Sequence, residues 1–228
     1  MTTSPAPIMH LTTFDETVLA RHSTRRFLPN PIPKGVLRHA LTLATHAPSN
    51  SNIQPWRLYL LSGAAADRLK ERLVAEASSG MEPIIPSLPD EFKHFRSELG
   101  KQVYGQGLGI AHDDTEARRA AVLRNFDFFG APTAAVVCMN KTLSRVDALS
   151  VGMYLQTFLL SLTQAQIGSC VEVSVAGYPD VIRNCLNIPE ELDIICGIAI
   201  GYEDESMGVN RLRSKRSSVE ETTVILED

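Results

Sequence analysis

The chain has 228 residues, 44% of them hydrophobic and 21% charged, and a formal charge of −4. That length and apolar content suit one large domain or two small ones with a filled core, and exclude a disordered chain. The acidic balance, with a pI near 5.9, argues against nucleic acid as the main partner, because a phosphate backbone calls for a broad basic face.

Taken in chain order, the opening "MTTSPAPIMH" has neither the positive start nor the apolar stretch of a secretory signal, and residues 1–12 read as a flexible tail. Thr13 followed by Glu16 has the spacing of a capping box and opens a helix. Directly behind it, "RHSTRRF" (21–27) gathers three arginines and a histidine around a serine, and "PNPIP" closes the segment with a turn. Val36, Leu37, Ala40, Leu41 and Ala44 recur at helical spacing and predict a helix over 34–47. "PSNSNIQP" (48–55) then breaks the pattern with turn formers. Residues 56–61 alternate like a strand, 64–77 are helical, and "SSGMEPIIPSLPDE" is a proline-rich connection that borders or covers something.

Further helices are expected over 91–103 and 114–129, a buried strand over 133–139, a helix over 146–166 that is apolar on nearly every side, and another buried strand over 193–202. Helices outnumber strands, so the fold class is α+β in a single domain over 1–228. The long helix carries Val151, Met153, Leu155, Phe158, Leu159, Leu160 and Leu162, more apolar face than one small sheet covers, and this predicts burial against a second copy in a homodimer. Its Asp147, Gln156 and Gln164 argue against a membrane span. Cys138, Cys170, Cys185 and Cys196 lack CxxC spacing and sit within or beside apolar runs, as reduced core residues do. A soluble, cytoplasmic protein is expected.

Several chemistries are absent from the sequence. There is no Walker A, HExxH or GxSxG motif, and "GQGLG" (105–109) is not GxGxxG and follows no strand, so it reads as a flexible turn. His39 and His46 lack an acidic or cysteine partner at ligand spacing and read as surface histidines; no metal site is predicted. His94 and His112 are isolated and receive no role. Positive charge returns in "NRLRSKR" (210–216), so basic clusters lie at both ends of an acidic chain. Guanidinium forks, a serine hydroxyl and exposed helix-end amides suit one phosphate that draws both clusters together; the alternative is two solvated basic patches. The amides and hydroxyls of "PSNSNIQPW" suit the edge of a flat heterocycle, or an ordinary helix-to-strand turn.

These residues resemble the FMN-dependent nitroreductases. "RHSTRRFLPNPIP" is similar to the family's RxSxR start and "APSNSNIQPWR" to its APSxxNxQPW segment, and "RNFDFFGAPTAAVV", "LQTFLLSLTQAQIGSC" and "AGYPDVIRNCLNIPEE" follow in the family's order over about 14–224. "RNFDFFGAP" and "GSCVEVSVAGYPD" look most like the nitrobenzoate-reductase branch. The resemblance implies a central mixed sheet flanked by helices, an intertwined homodimer, and a C-terminal extension (203–228) against the partner subunit. It assigns Arg21, His22, Ser23 and Arg25, with Arg213 and Arg216, to the FMN phosphate and neighbouring groups. Pro48, Ser49, Asn50 and Asn52 fall beside the flavin, and Cys170, Val171, Glu172, Val173 and Ser174 where backbone amides approach its N5 and O4. Glu172 or Val173 stands in the place of a glutamate found in some members, and the flavin-facing side chain between 78 and 113 has no motif to anchor it.

The activity implied is a ping-pong transfer of two electrons from NADPH or NADH through FMN to a small aromatic acceptor, nitroaromatic or quinone-like. The chemistry belongs to the cofactor, with no catalytic side chain required and an electrostatic role for Arg25. Two other functions fit the same resemblance: a dehydrogenase or oxidase of one metabolite, and a flavin-binding protein without catalysis.

Overall fold

The structure, a computed structural model, describes residues 13–227; the tail expected over 1–12 lies outside the described residues. Strand β2 (Thr133–Asn140) is buried at every position but its last. Its apolar run is unbroken because helices cover both faces of the sheet. Ala134, Val136 and Cys138 face one core with Leu69 and Leu73 of α3 (Ala64–Ser78) and Ile182 of α7 (Pro179–Leu186). Ala135, Val137 and Met139 face the other, with Leu37 and Ala40 of α2 (Lys34–Ala44) and Phe158 and Leu162 of α6 (Arg145–Gln164).

The sheet runs β1 (Trp56–Ser62), β2, β4 (Leu192–Gly201), β3 (Gly168–Glu172), each neighbouring pair antiparallel. The parallel element of the expected mixed sheet is a single bridge, Ser23 to Ser169. Between β2 and β4 the register slips at Val137/Cys138, which inserts one extra residue in β4 opposite the middle of β2.

Helix α6 opens on a capping box formed by Ser144 and Asp147. By length and composition it would also cross a membrane, but Val151, Tyr154, Phe158, Leu159 and Leu162 are buried in the second core. Tyr154 stacks on Trp56 with ring centroids 4.8 Å apart, which locks the helix to β1. Val146, Leu149 and Met153 remain exposed, on one stripe of the same helix.

The connection between α3 and β2 departs most from the sequence pattern. The helix expected over 114–129 ends at Leu123 in α5 (Thr115–Leu123), because Phe128 and Phe129 take φ of 53° and 54° and turn the chain into β2. Burial of both rings offsets that backbone cost. The helix expected over 91–103 is α4 (Lys93–Gly100), which continues as a π-helical turn, Lys101–Gly107. Part of "GQGLG" is therefore π helix rather than a flexible turn. A Cβ on Gly107 would lie 2.9 Å from the Val209 backbone, so glycine is what lets this turn reach the C-terminal segment. Strand β3 and helix α7 were not expected; β3 is only five residues, and α7 is signalled by Pro179 at its start and a left-handed Asn187 at its end.

Candidate functional site

The two basic clusters meet. Residues 26–28 run antiparallel to 202–204: Leu28 N–H donates to the Tyr202 carbonyl at 2.9 Å and Asp204 N–H to that of Arg26 at 3.1 Å. Asn210 then fastens the junction. Its buried amide accepts from Arg25 N–H at 2.7 Å and donates to the carbonyls of Arg26 and Asp204 at 2.8 and 3.0 Å. Every bond of this clamp is to backbone, so it fixes the path of both segments whatever their side chains do.

The result is a cavity of about 550 Å³ lined by Arg21, His22, Ser23, Arg25, Arg213 and Arg216 and by Gln156 of α6, with no carboxylate on its wall among the described residues. Burial, together with the like charge of Arg216, lowers the pKa of the Arg21 guanidinium. Cations that crowd one another with no acid among the lining residues fit a polyanion such as a phosphate. His22 is bound differently: its ring meets the Ala20 carbonyl at 2.8 Å and Glu203 at 3.0 Å. It ties the end of α1 (Phe14–Ala20) to the exit of β4.

A second cavity, of about 830 Å³, shares Arg25, Leu99 and Val103 with the first and is bounded by α4, the π-helical turn and α5. From the 78–113 region, where no sequence motif placed a side chain, Arg96, Leu99, Lys101, Val103 and Tyr104 are among the residues on its wall. A π-helical turn is a common device at functional sites, and here Lys101, Val103 and Tyr104 of the turn lie on the cavity wall.

Beside Arg25 lies the end of β3. Val171 and Val173 are exposed, whereas Glu172 is buried with both carboxyl oxygens lacking a hydrogen bond. Burial, reinforced by Asp127 and opposed by Arg25, pushes its pKa well above the usual carboxylate range. Burial thus favours the uncharged form of Glu172 beside Arg25. Burial likewise pushes the Cys170 thiol up to about 12, which makes it an inert core group. Ser174 opens the 3-10 turn Ser174–Gly177 that follows.

Because the folded pKa of Glu172 lies above its unfolded value of about 4.3, its contribution to stability is complete below that value and is lost as pH rises through the folded pKa. Glu172→Gln should remove that loss: melting temperatures of wild type and variant, compared from about pH 4 upward, should diverge in favour of the variant as pH rises. Parallel curves would mean that Glu172 ionises freely.

The polar loop is elsewhere. Asn50 donates from its amide to Asp147 at 3.1 Å and from its backbone to Ser150 at 3.2 Å, which seats the loop on the start of α6. Hydrogen bonds from the Ser144 backbone and the Asn50 side chain hold the Asp147 carboxyl below its usual pKa. Ser51, Asn52 and Gln54 all take positive φ and are exposed. Pro48, Ser49, Asn50 and Asn52 line neither cavity described above. Within one chain, the structure unites the two basic clusters and sets the end of β3 near Arg25, but residues 170–174, like this loop, line neither cavity.

Residues 18–202 match the model of the nitroreductase family. The 4-nitrobenzoate reductase of Pseudomonas putida is 33% identical over 208 residues, covering 89% of this chain and 91% of that one. The nitroreductase NfnB of Mycolicibacterium smegmatis is 36% identical over 212 residues, covering 90% and 89%. The crystal structure of an FMN-dependent NfnB from Mycobacterium smegmatis in complex with NADPH superposes with a TM-score of 0.87, at 32% identity, over 93% of this chain and 97% of that one.

Proposed function

This chain belongs to the nitroreductase family, and from that membership we propose how its geometry serves an FMN-dependent NAD(P)H nitroreductase. The observation that carries the assignment of the site is the carboxylate-free cradle of Arg21, Arg25, Arg213 and Arg216, assembled from both ends of the chain. It suits the FMN phosphate. Bound there, FMN supplies the two-electron chemistry between NAD(P)H and a small aromatic acceptor.

The residues of the chain do the rest. Arg21 and Arg216 would hold the phosphate, with the Ser23 hydroxyl as a further donor. Arg25 lines both cavities and extends the positive field toward the larger one. Burial disfavours the charged form of Glu172 beside it, and Arg25 would favour negative charge as it develops during reduction. Apolar Leu99 and Val103 would limit water at the junction of the cavities.

A homodimer completes the reading. Val146, Leu149 and Met153 on α6, Phe14 and Leu19 on α1, and Ile225 and Leu226 of the C-terminal segment are exposed apolar residues that a second copy would cover. Val209 and Asn210 of the extension are buried against their own chain, so only its last part is available to a partner. A cytoplasmic location follows from the need for NAD(P)H and from free cysteines.

The spectrum of the purified protein tests the assignment. It should show the oxidised flavin bands, near roughly 370 and 450 nm, and bleach under anaerobic NADPH or NADH. A colourless protein that is still colourless after incubation with FMN and removal of the unbound flavin would sink it.

A further inference from the structure

The larger cavity has a charge pattern that FMN binding does not require. Its wall carries Arg96, Lys101, Arg118, Arg119 and Arg124 in addition to Arg25, and not one Asp or Glu, in a chain whose acids outnumber its bases. Among the described residues none of these cations lies within 4 Å of a carboxylate; the ion pairs found are His22 with Glu203, Lys93 with Asp90, and Arg183 with Glu190. The phosphate cradle is a separate cavity with its own arginines, and Arg25 alone among the cations belongs to both.

Two of these arginines are held in place. Arg118 lies over the face of Tyr104, 5.2 Å from the ring centroid. Arg124 donates to the Phe129 carbonyl at 2.8 Å, and burial, only partly offset by Asp127, lowers its pKa. Arg118 and Arg124 are half-buried, Arg96, Lys101 and Arg119 exposed; a half-buried guanidinium group without an ion pair is costly, and a ligand that brings the anion recovers that cost, with the exposed cations adding to its attraction. Tyr104 and Phe129 in the same wall offer aromatic surface beside the cations.

Resting on the nitroreductase reading, we propose that this cavity selects acceptors that carry a carboxylate on the aromatic ring, and that Arg118 and Arg119 of α5 are the residues that choose them over neutral nitroaromatics. A planar aryl carboxylate satisfies both halves of the wall, the fork donors and the rings, whereas a neutral nitroarene leaves the cations unpaired.

The test uses the FMN-loaded enzyme and a non-reducible pair, benzoate and benzamide, followed by titration calorimetry and by the perturbation of the flavin absorbance. Benzoate should bind about tenfold or more tightly than benzamide, and its advantage should fall with rising salt. The Arg118→Gln/Arg119→Gln double variant should lose most of that advantage while benzamide binding stays unchanged. In turnover, the same variant should raise KM for 4-nitrobenzoate about tenfold and leave nitrobenzene unaffected. Equal affinity for the two probes, or an unaltered benzoate affinity in the variant, overturns the inference while flavin bleaching by NADPH keeps the family reading intact. A variant that slows bleaching by NADPH but not by NADH, with benzoate binding unaltered, also overturns it and assigns the cations to the dinucleotide phosphate. A flavin that NAD(P)H does not bleach defeats the parent reading instead.

Discussion

Replacing Arg21 by alanine is expected to weaken FMN binding roughly a hundredfold. The guanidinium is partly buried and pressed by Arg216, so a phosphate would meet it with little competition from water. Hydrogen bonds to charged groups contribute about 1.5–3 kcal/mol each, and a two-pronged contact that loses about 3 kcal/mol corresponds to about two decades in affinity. Arg216 is solvent-exposed and its alanine variant should lose less, about tenfold, because water screens the contact. Fluorescence titration of the apoprotein with FMN reads both, and circular dichroism should show an unchanged fold. Arg21→Lys should fall between wild type and alanine, since it keeps the charge and loses the fork. If Arg21→Ala binds FMN as tightly as the wild type, the phosphate lies elsewhere and the cradle is a solvated basic patch.

The cradle was legible in the sequence because charge survives without alignment or coordinates: arginines at 21, 25, 213 and 216 stand out against an acidic chain. What brings them together was not. Asn210 clamps both segments through main-chain bonds, and a single asparagine carries no periodicity or charge that would single it out. The buried strand β2 and the long helix α6 were read correctly because burial on both faces writes itself as a continuous apolar run. The start of the 114–129 region followed helical spacing, but its end is decided by two phenylalanines with positive φ, a tertiary effect that local pattern does not encode. Likewise the cations of the larger cavity are scattered over α4, the π-helical turn and α5, and only the fold puts them on one wall. The polar loop shows the converse limit: its amides and hydroxyls were evident in the sequence, but not that within one chain it would line neither cavity.

The position of that loop makes the second large effect a test of assembly. Asn50 rests on Asp147 and Ser150, while Gln156, further along the same helix, opens on the arginine-lined cavity. Leu149 and Met153 are exposed over the intervening stretch, Leu149 at 67%. A two-fold contact through that stripe would bring the loop of one copy toward the cradle of the other, which a single chain does not do. Leu149→Asp should therefore abolish both the dimer and the flavin. An unpaired carboxylate buried at each of two equivalent positions costs several kcal/mol; at about 3 kcal/mol per copy, the dissociation constant rises roughly ten-thousandfold. Light scattering should fall to the 25.0 kDa of one chain, and FMN should be lost on gel filtration. The helix content should persist, because Leu149 belongs to neither core. A wild type that is already 25.0 kDa in solution, or a monomeric variant that keeps FMN as firmly as its parent, would show that one chain builds the whole site and that the loop on α6 serves only as a turn.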